Sequence, residues 1–140
     1  MVLVVVLIAV GAALLLGGGL AAFLVSRTRR ARARLAGELA REPAVRGPEP
    51  GIYRGSTGGY SQVMGNGQIA LTEQRLLFQK VVGGLVVVPR RTITGVSTAK
   101  SFNRSVVGGR THLVVHTSSG DVAFFVTDLD GWVATLAPAP

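Results

Sequence analysis

Three changes in hydrophobic period predict an α+β chain: an N-terminal transmembrane helix, a small antiparallel β-barrel or sandwich, and one C-terminal amphipathic helix that caps it. Residues 2–25 carry no charge, and arginines begin at Arg27. Beyond Gly51 the apolar residues alternate between glycine turns, and from Leu129 to Ala137 they return to a helical spacing. The predicted plan is a transmembrane helix over residues 1–25, a basic juxtamembrane helix over 26–46, a Pro/Gly linker over 47–51 and a domain over 52–140.

The 24 residues of the first run make a helix of about 36 Å, against a hydrocarbon core of about 30 Å, so the run spans with some tilt. A signal peptide would open with basic residues, hold a shorter apolar core and end in a cleavage site. Here Met1 leads straight into apolar residues and no such site precedes the arginines. The run reads as an anchor, with a secreted domain released from a signal peptide as the alternative. Positive charge flanks its C-terminal end only, which predicts a plasma-membrane protein with its N-terminus outside and its domain in the cytoplasm. Ala9, Ala13, Gly17 and Ala21 recur every four residues, but 9 of the 14 residues from 9 to 22 are Gly or Ala, so composition alone generates this stripe.

From 26 to 42 the residues are mostly good helix formers, with Arg34 and Glu38 at i,i+4, and Pro43 ends the segment. Its apolar residues are few, so it is expected as a solvated neck. Residues 47–51 (Gly-Pro-Glu-Pro-Gly) read as a stiff linker. Strands are then expected at 68–72, at 76–82 and 85–88 around Gly83-Gly84, at 91–97 after Pro89, and at 112–117 and 122–127 around a second turn. Thr127 and Asp130 match an N-cap pattern; Leu129, Trp132, Val133, Leu136 and Ala137 share one helical face, stopped by Pro138.

The net charge of +8 divides unevenly: residues 26–46 hold seven Arg against Glu38 and Glu42, and residues 47–140 hold eight basic against five acidic side chains. Most of the excess is therefore juxtamembrane, where it sets topology and meets anionic lipid. The remainder forms no basic stripe interleaved with aromatics, which argues against nucleic acid. Cysteine is absent, so there is no disulfide, thiolate metal site or Cys nucleophile. Thirteen Arg against two Lys, with abundant Ala, Val and Gly, point to a GC-rich bacterial genome.

Residues 67–78 (Gly-Gln-Ile-Ala-Leu-Thr-Glu-Gln-Arg-Leu-Leu-Phe) resemble a stretch of the bacterial pleckstrin-homology-like (PH-like) and GRAM-like domains, and Val88-Pro89 with Ile93 and Val96 is similar to the segment that follows. The resemblance covers roughly residues 51–136. It implies a PH-like barrel or sandwich closed by the C-terminal helix, acting as a binding module. The chain departs from the families at Arg90-Arg91. It also offers only Arg54 where lipid-binding PH domains have a dense basic motif, so high-affinity phosphoinositide binding is not implied.

No catalytic set emerges. Gly65-Asn66-Gly67-Gln68-Ile69-Ala70 spells a dinucleotide fingerprint but precedes a strand, and after Glu73 the next acid is Asp121; it is expected as a turn. His112 and His116 lie four residues apart on a strand, about 13 Å, too far for one metal ion, and are expected on the surface. The expectation is a non-catalytic protein without cofactor or metal, an enzyme being the alternative from another class. Its partners are expected to be the membrane, anionic lipid headgroups or an unidentified protein. The candidate contacts are Arg27, Arg29, Arg30, Arg32 and Arg34 in the neck and Arg90, Arg91, Lys100, Arg104 and Arg110 in the domain. A variant reading makes the 100–110 loop a weak anionic-lipid sensor.

Overall fold

The computed structural model describes residues 1–137, so the helix stop assigned to Pro138 lies outside the described residues. One helix, α1 (Val2–Arg41), runs unbroken for 40 residues, through Gly17, Gly18 and Gly19. It is long and apolar enough to cross a membrane, and residues 12–25 are exposed. It stops where Glu42 turns extended (φ −143°, ψ 92°) ahead of Pro43, whose ring disfavours a helical residue before it.

The chain then forms β1 (Ala44–Ser56), β2 (Gly65–Thr72), β3 (Arg75–Lys80), β4 (Leu85–Pro89), β5 (Ile93–Ala99), a small hairpin β6 (Ser101–Phe102) and β7 (Ser105–Val106), β8 (His112–Thr117), β9 (Gly120–Val126) and α2 (Leu129–Leu136). Seven strands make one antiparallel sheet in the order β4-β3-β2-β1-β9-β8-β5. The α+β layout expected from the sequence is therefore present, with β1 as the long central strand.

Two expectations for the neck are corrected. Residues 47–51 are not a linker but the middle of β1, where Glu49, Pro50 and Gly51 pair with Ile69, Gln68 and Gly67. Register shifts between Ala44 and Glu49 accommodate Pro48, which has no N–H to offer, and Gly47 takes φ 79° there. Nor is the upper part of α1 solvated. Ala31 and Leu35 are buried, Leu35 packing with Ala70 and Leu77 on the outer face of β2 and β3, while Leu39, Leu85 and Val87 close the edges. Three apolar residues suffice because the facing strands are apolar on both sides, Ile69-Ala70-Leu71 and Leu76-Leu77-Phe78.

The inner faces of all seven strands contribute to one core with Trp132 and Leu136 of α2. Tyr53, Phe78 and Phe124 pack at its centre with ring centroids 5.6 to 5.8 Å apart. Gly67 lacks a side chain for a reason: a Cβ there would overlap the Gln79 carbonyl and come within 2.8 Å of the Phe78 ring. The N-cap of α2 is Asp128 rather than Thr127, because its carboxylate accepts the Gly131 N–H at 3.1 Å and is held by Arg46 Nη2 at 2.8 Å. The guanidinium of Arg46 also covers the Trp132 ring at 4.7 Å.

Candidate membrane-facing site

Contacts along α1 fix which end of the domain lies toward its apolar run. Arg34 Nη1 reaches the Gly83 carbonyl at 3.4 Å, in the turn after β3. Further up the helix, Glu38 and Glu42 pair with Arg75, at the opposite end of β3, at 3.1 and 2.8 Å. Descending α1 toward its apolar run therefore leads to the 81–84 turn, across β2 and β1 to the 57–64 loop, and to the β6–β7 hairpin that Asn103 ties to Ser56. Thr28, three residues after the last residue of the apolar run, shares a groove with the sheet, and Ala31 and Leu35 above it are buried.

This lower end is apolar at its tips. Outside α1, the exposed large apolar side chains among the described residues are Val45, Val63, Met64, Val82, Val106 and Val107, and all but Val45 stand on the lower loops. The hairpin is tied down by Arg54: Nη2 donates to Ser105 Oγ at 2.8 Å, Nε to His112 Nε2 at 3.4 Å, and the guanidinium lies over Phe125 at 5.0 Å. Asn103 Nδ2 adds a bond to the Ser56 carbonyl at 2.9 Å. Beneath it sits His112, wholly buried beside Phe102 and Phe125, with centroids 6.1 and 4.5 Å away. This corrects its expected place on the surface: the hairpin covers the outer face of β8. Burial pushes its pKa below the ordinary value for a histidine. His116 stays half-exposed, Nδ1 at 2.8 Å from Asp121.

The ten candidate basic residues divide between the two ends. Arg27 lies over Phe23 at 5.1 Å, with its Nε shielded and unpartnered among the described residues. Arg29, Arg30 and Arg32 are exposed just above the apolar run, with Arg34 a little higher. Lys100 donates to the Gly109 carbonyl at 2.9 Å, Arg104 is exposed with φ 63°, and Arg110 is exposed over the Phe125 ring at 4.3 Å; all three belong to the hairpin segment. Arg90 and Arg91 follow Pro89, which pairs with Arg75, and so lie at the far end; Arg90 donates to the Thr72 carbonyl at 3.2 Å.

Between α1 and the hairpin the outer face of the sheet is left open as a groove of about 390 Å³. Thr28, Ala31 and Arg32 form one wall and Arg110 the other; β1, β2, β3 and β9 supply a floor that includes Ile52, Gln68, Gln79 and Phe125. None of its lining residues is acidic. Gly65, Asn66 and Gly67, expected as a turn, open β2, and two of them line this groove.

At the lower end of the core, Lys80 is 4% exposed, its amine over Tyr53 at 4.8 Å and bonded to Ser61 Oγ at 2.8 Å. Burial pushes that amine down and the Tyr53 phenol up to about 12. No group of three or more His, Asp or Glu side chains converges among the described residues. Protein-family models, curated proteins and solved structures contain no match to this chain.

Sequence reasoning passed over Arg46, Arg54 and Arg75 as ordinary charges, although each organises a contact. The signal was available for the outer face: strands apolar at consecutive positions, here 69–71, 76–78, 113–115 and 122–125, require cover on both sides.

Proposed function

We propose that this is a single-pass plasma-membrane protein whose cytoplasmic domain is a non-catalytic binding and scaffolding module seated on the inner membrane surface. The observation that carries the reading is the placement of the lower end: the sheet lies beside α1 from Thr28 onward, and five exposed apolar side chains stand on the loops at that end. The arginines that follow the span support the cytoplasmic orientation. The strand order, with one C-terminal helix over the core, supports the PH-like reading. Four of the acids are held in ion pairs that brace the fold, Glu38 and Glu42 by Arg75 and Glu49 and Asp128 by Arg46, which suits a binding role. Strands β4 and β5 each pair on one side only, an arrangement that also suits strand addition by a protein partner.

Because the chain has no cysteine, single probes test the seating directly. Fluorophores on Val63→Cys and Val106→Cys of the full chain in vesicles are expected to be shielded from an aqueous quencher, and one on Glu73→Cys at the far end to be accessible. Equal quenching at all three positions refutes the seating. A reporter fused after Pro140 that works only outside the cell refutes the orientation.

A further inference from the structure

We infer that the groove between α1 and the outer face of the sheet binds the anionic headgroup of a membrane phospholipid, one per chain. The inference rests on the membrane-seated reading above and adds a ligand and a site to it.

Position is the first argument. Thr28 and Arg32 stand three and seven residues beyond Val25, or about 4.5 and 10 Å along the helix at roughly 1.5 Å per residue. The headgroup layer occupies roughly 5 to 8 Å on each side of the hydrocarbon. The groove thus opens at the level where phosphates lie, and a lipid enters it without leaving the bilayer.

Charge is the second. Arg32 and Arg110 face the groove from opposite walls, and neither takes part in an ion pair among the described residues. The acids nearest in sequence to its lining, Glu49 and Asp128, are both held by Arg46. An anion entering the groove therefore meets two unpaired guanidiniums and no lining carboxylate. Arg110 is held over Phe125 at 4.3 Å, so its cation is positioned before any ligand arrives.

The lining is the third. Hydroxyl and amide groups of Thr28, Gln68 and Gln79 share the groove with the apolar surfaces of Ala31, Ile52 and Phe125. That mixture matches a phosphodiester on a glycerol carrying acyl chains better than a bare inorganic ion. A volume of about 390 Å³ falls within the range of small-molecule sites, roughly 300 to 1,000 Å³. The site lies on the opposite face of the sheet from the core, and one of its walls is the membrane helix itself.

The test titrates the full chain, in mild detergent, with phosphatidylglycerol, phosphatidylcholine, glycerol phosphate and inorganic phosphate, and reads bound lipid per chain by native mass spectrometry. One phosphatidylglycerol is expected to bind per chain, in preference to phosphatidylcholine. Two cations near an anionic group, each contributing roughly fivefold, set the loss in Arg32→Ala/Arg110→Ala at about 30-fold. Arg91→Ala is expected to bind as the parent does. Gln68→Trp, which fills the groove without changing its charge, is expected to bind weakly while melting at the parent temperature. Equal binding of the two lipids, parental binding by the double variant, or parental binding by Gln68→Trp overturns the inference. Displacement of the lipid by glycerol phosphate or inorganic phosphate assigns the site to a soluble phosphate and overturns the lipid source; a copurifying peptide in the groove overturns it as well. Shielded probes with no selective lipid binding sink the groove alone, whereas lipid binding with unshielded probes sinks only the seating.

Discussion

Removing the Leu35 side chain should release the domain from α1 while leaving both folded. Leu35 is 1% exposed and packs with Ala70 and Leu77. Its burial contributes about 2 to 3 kcal/mol by area, and Leu→Ala in a closed site costs about 2 to 5 kcal/mol once the cavity is counted. The ion pairs of Arg75 with Glu38 and Glu42 lie in the same seam, but their side chains are 20% to 37% exposed, and such pairs contribute only about 0.2 to 1 kcal/mol each. The leucine therefore decides the contact. A loss of 2 to 3 kcal/mol lowers the docked-to-released ratio roughly 30- to 150-fold. Nitroxides on Ala33→Cys and Val82→Cys, in a chain with no other cysteine, report the seam by pulsed electron spin resonance in nanodiscs. The parent should give one narrow distance distribution, Leu35→Ala a second, longer component, and Leu35→Asp mainly the longer one. A narrow, parental distribution in Leu35→Asp would refute the reasoning, because it would mean that α1 is held by something other than this contact.

Two further outcomes follow from the charged groups. Because burial lowers the pKa of His112, the fold favours the neutral ring; its contribution is full above the unfolded value near 6.5 and is lost as pH falls from there toward the folded value, by up to about 1.4 kcal/mol per unit. The melting temperature of the full chain should therefore drop more between about pH 7 and pH 5 than that of His112→Phe, and parallel curves would remove His112 from the account. Asp128→Ala should lower the melting temperature by several degrees through the lost cap of α2, read by Trp132 fluorescence, while Asp128→Asn should keep most of the cap. Equal losses in the two variants would attribute the effect to the Arg46 ion pair instead.

Periodicity made the elements themselves legible: α1, the two tight hairpins and α2 all follow from spacing and turn residues. What it could not convey was which outer faces are covered. Leu35 and Leu39 form too thin a stripe to announce a packed helix, and only the double-sided apolar character of β2 and β3 reveals the partner. The Gly47 to Gly51 stretch misleads for a related reason. Glycine and proline usually interrupt pairing, but β1 pairs with β2 on one side and β9 on the other, and its register shifts absorb Pro48. The site was legible by halves. Charge counting located the basic residues, but the grouping of Arg32 with Arg110, 78 positions apart, and the separation of both from Arg90 and Arg91, depend on the course of α1 over the sheet.

On the reading proposed above, that course changes what the membrane anchor contributes. A flexible linker of five residues would let a domain wander by roughly 12 Å and turn freely. Here only Glu42 and Pro43 separate α1 from β1, and the helix continues along the sheet through Leu35 and Leu39. Folding therefore sets the orientation of the domain relative to the span, and the entropy of aligning the lower loops with the bilayer is lost once, when α1 docks. Contacts too weak to recruit a free domain, such as single exposed valines or lone arginines, then act together at the surface. The same rigidity holds α2 and the Arg90-Arg91 corner at the end of the domain away from the apolar run. In the orientation proposed above, a protein partner meets that end, while the end below it stays with the membrane.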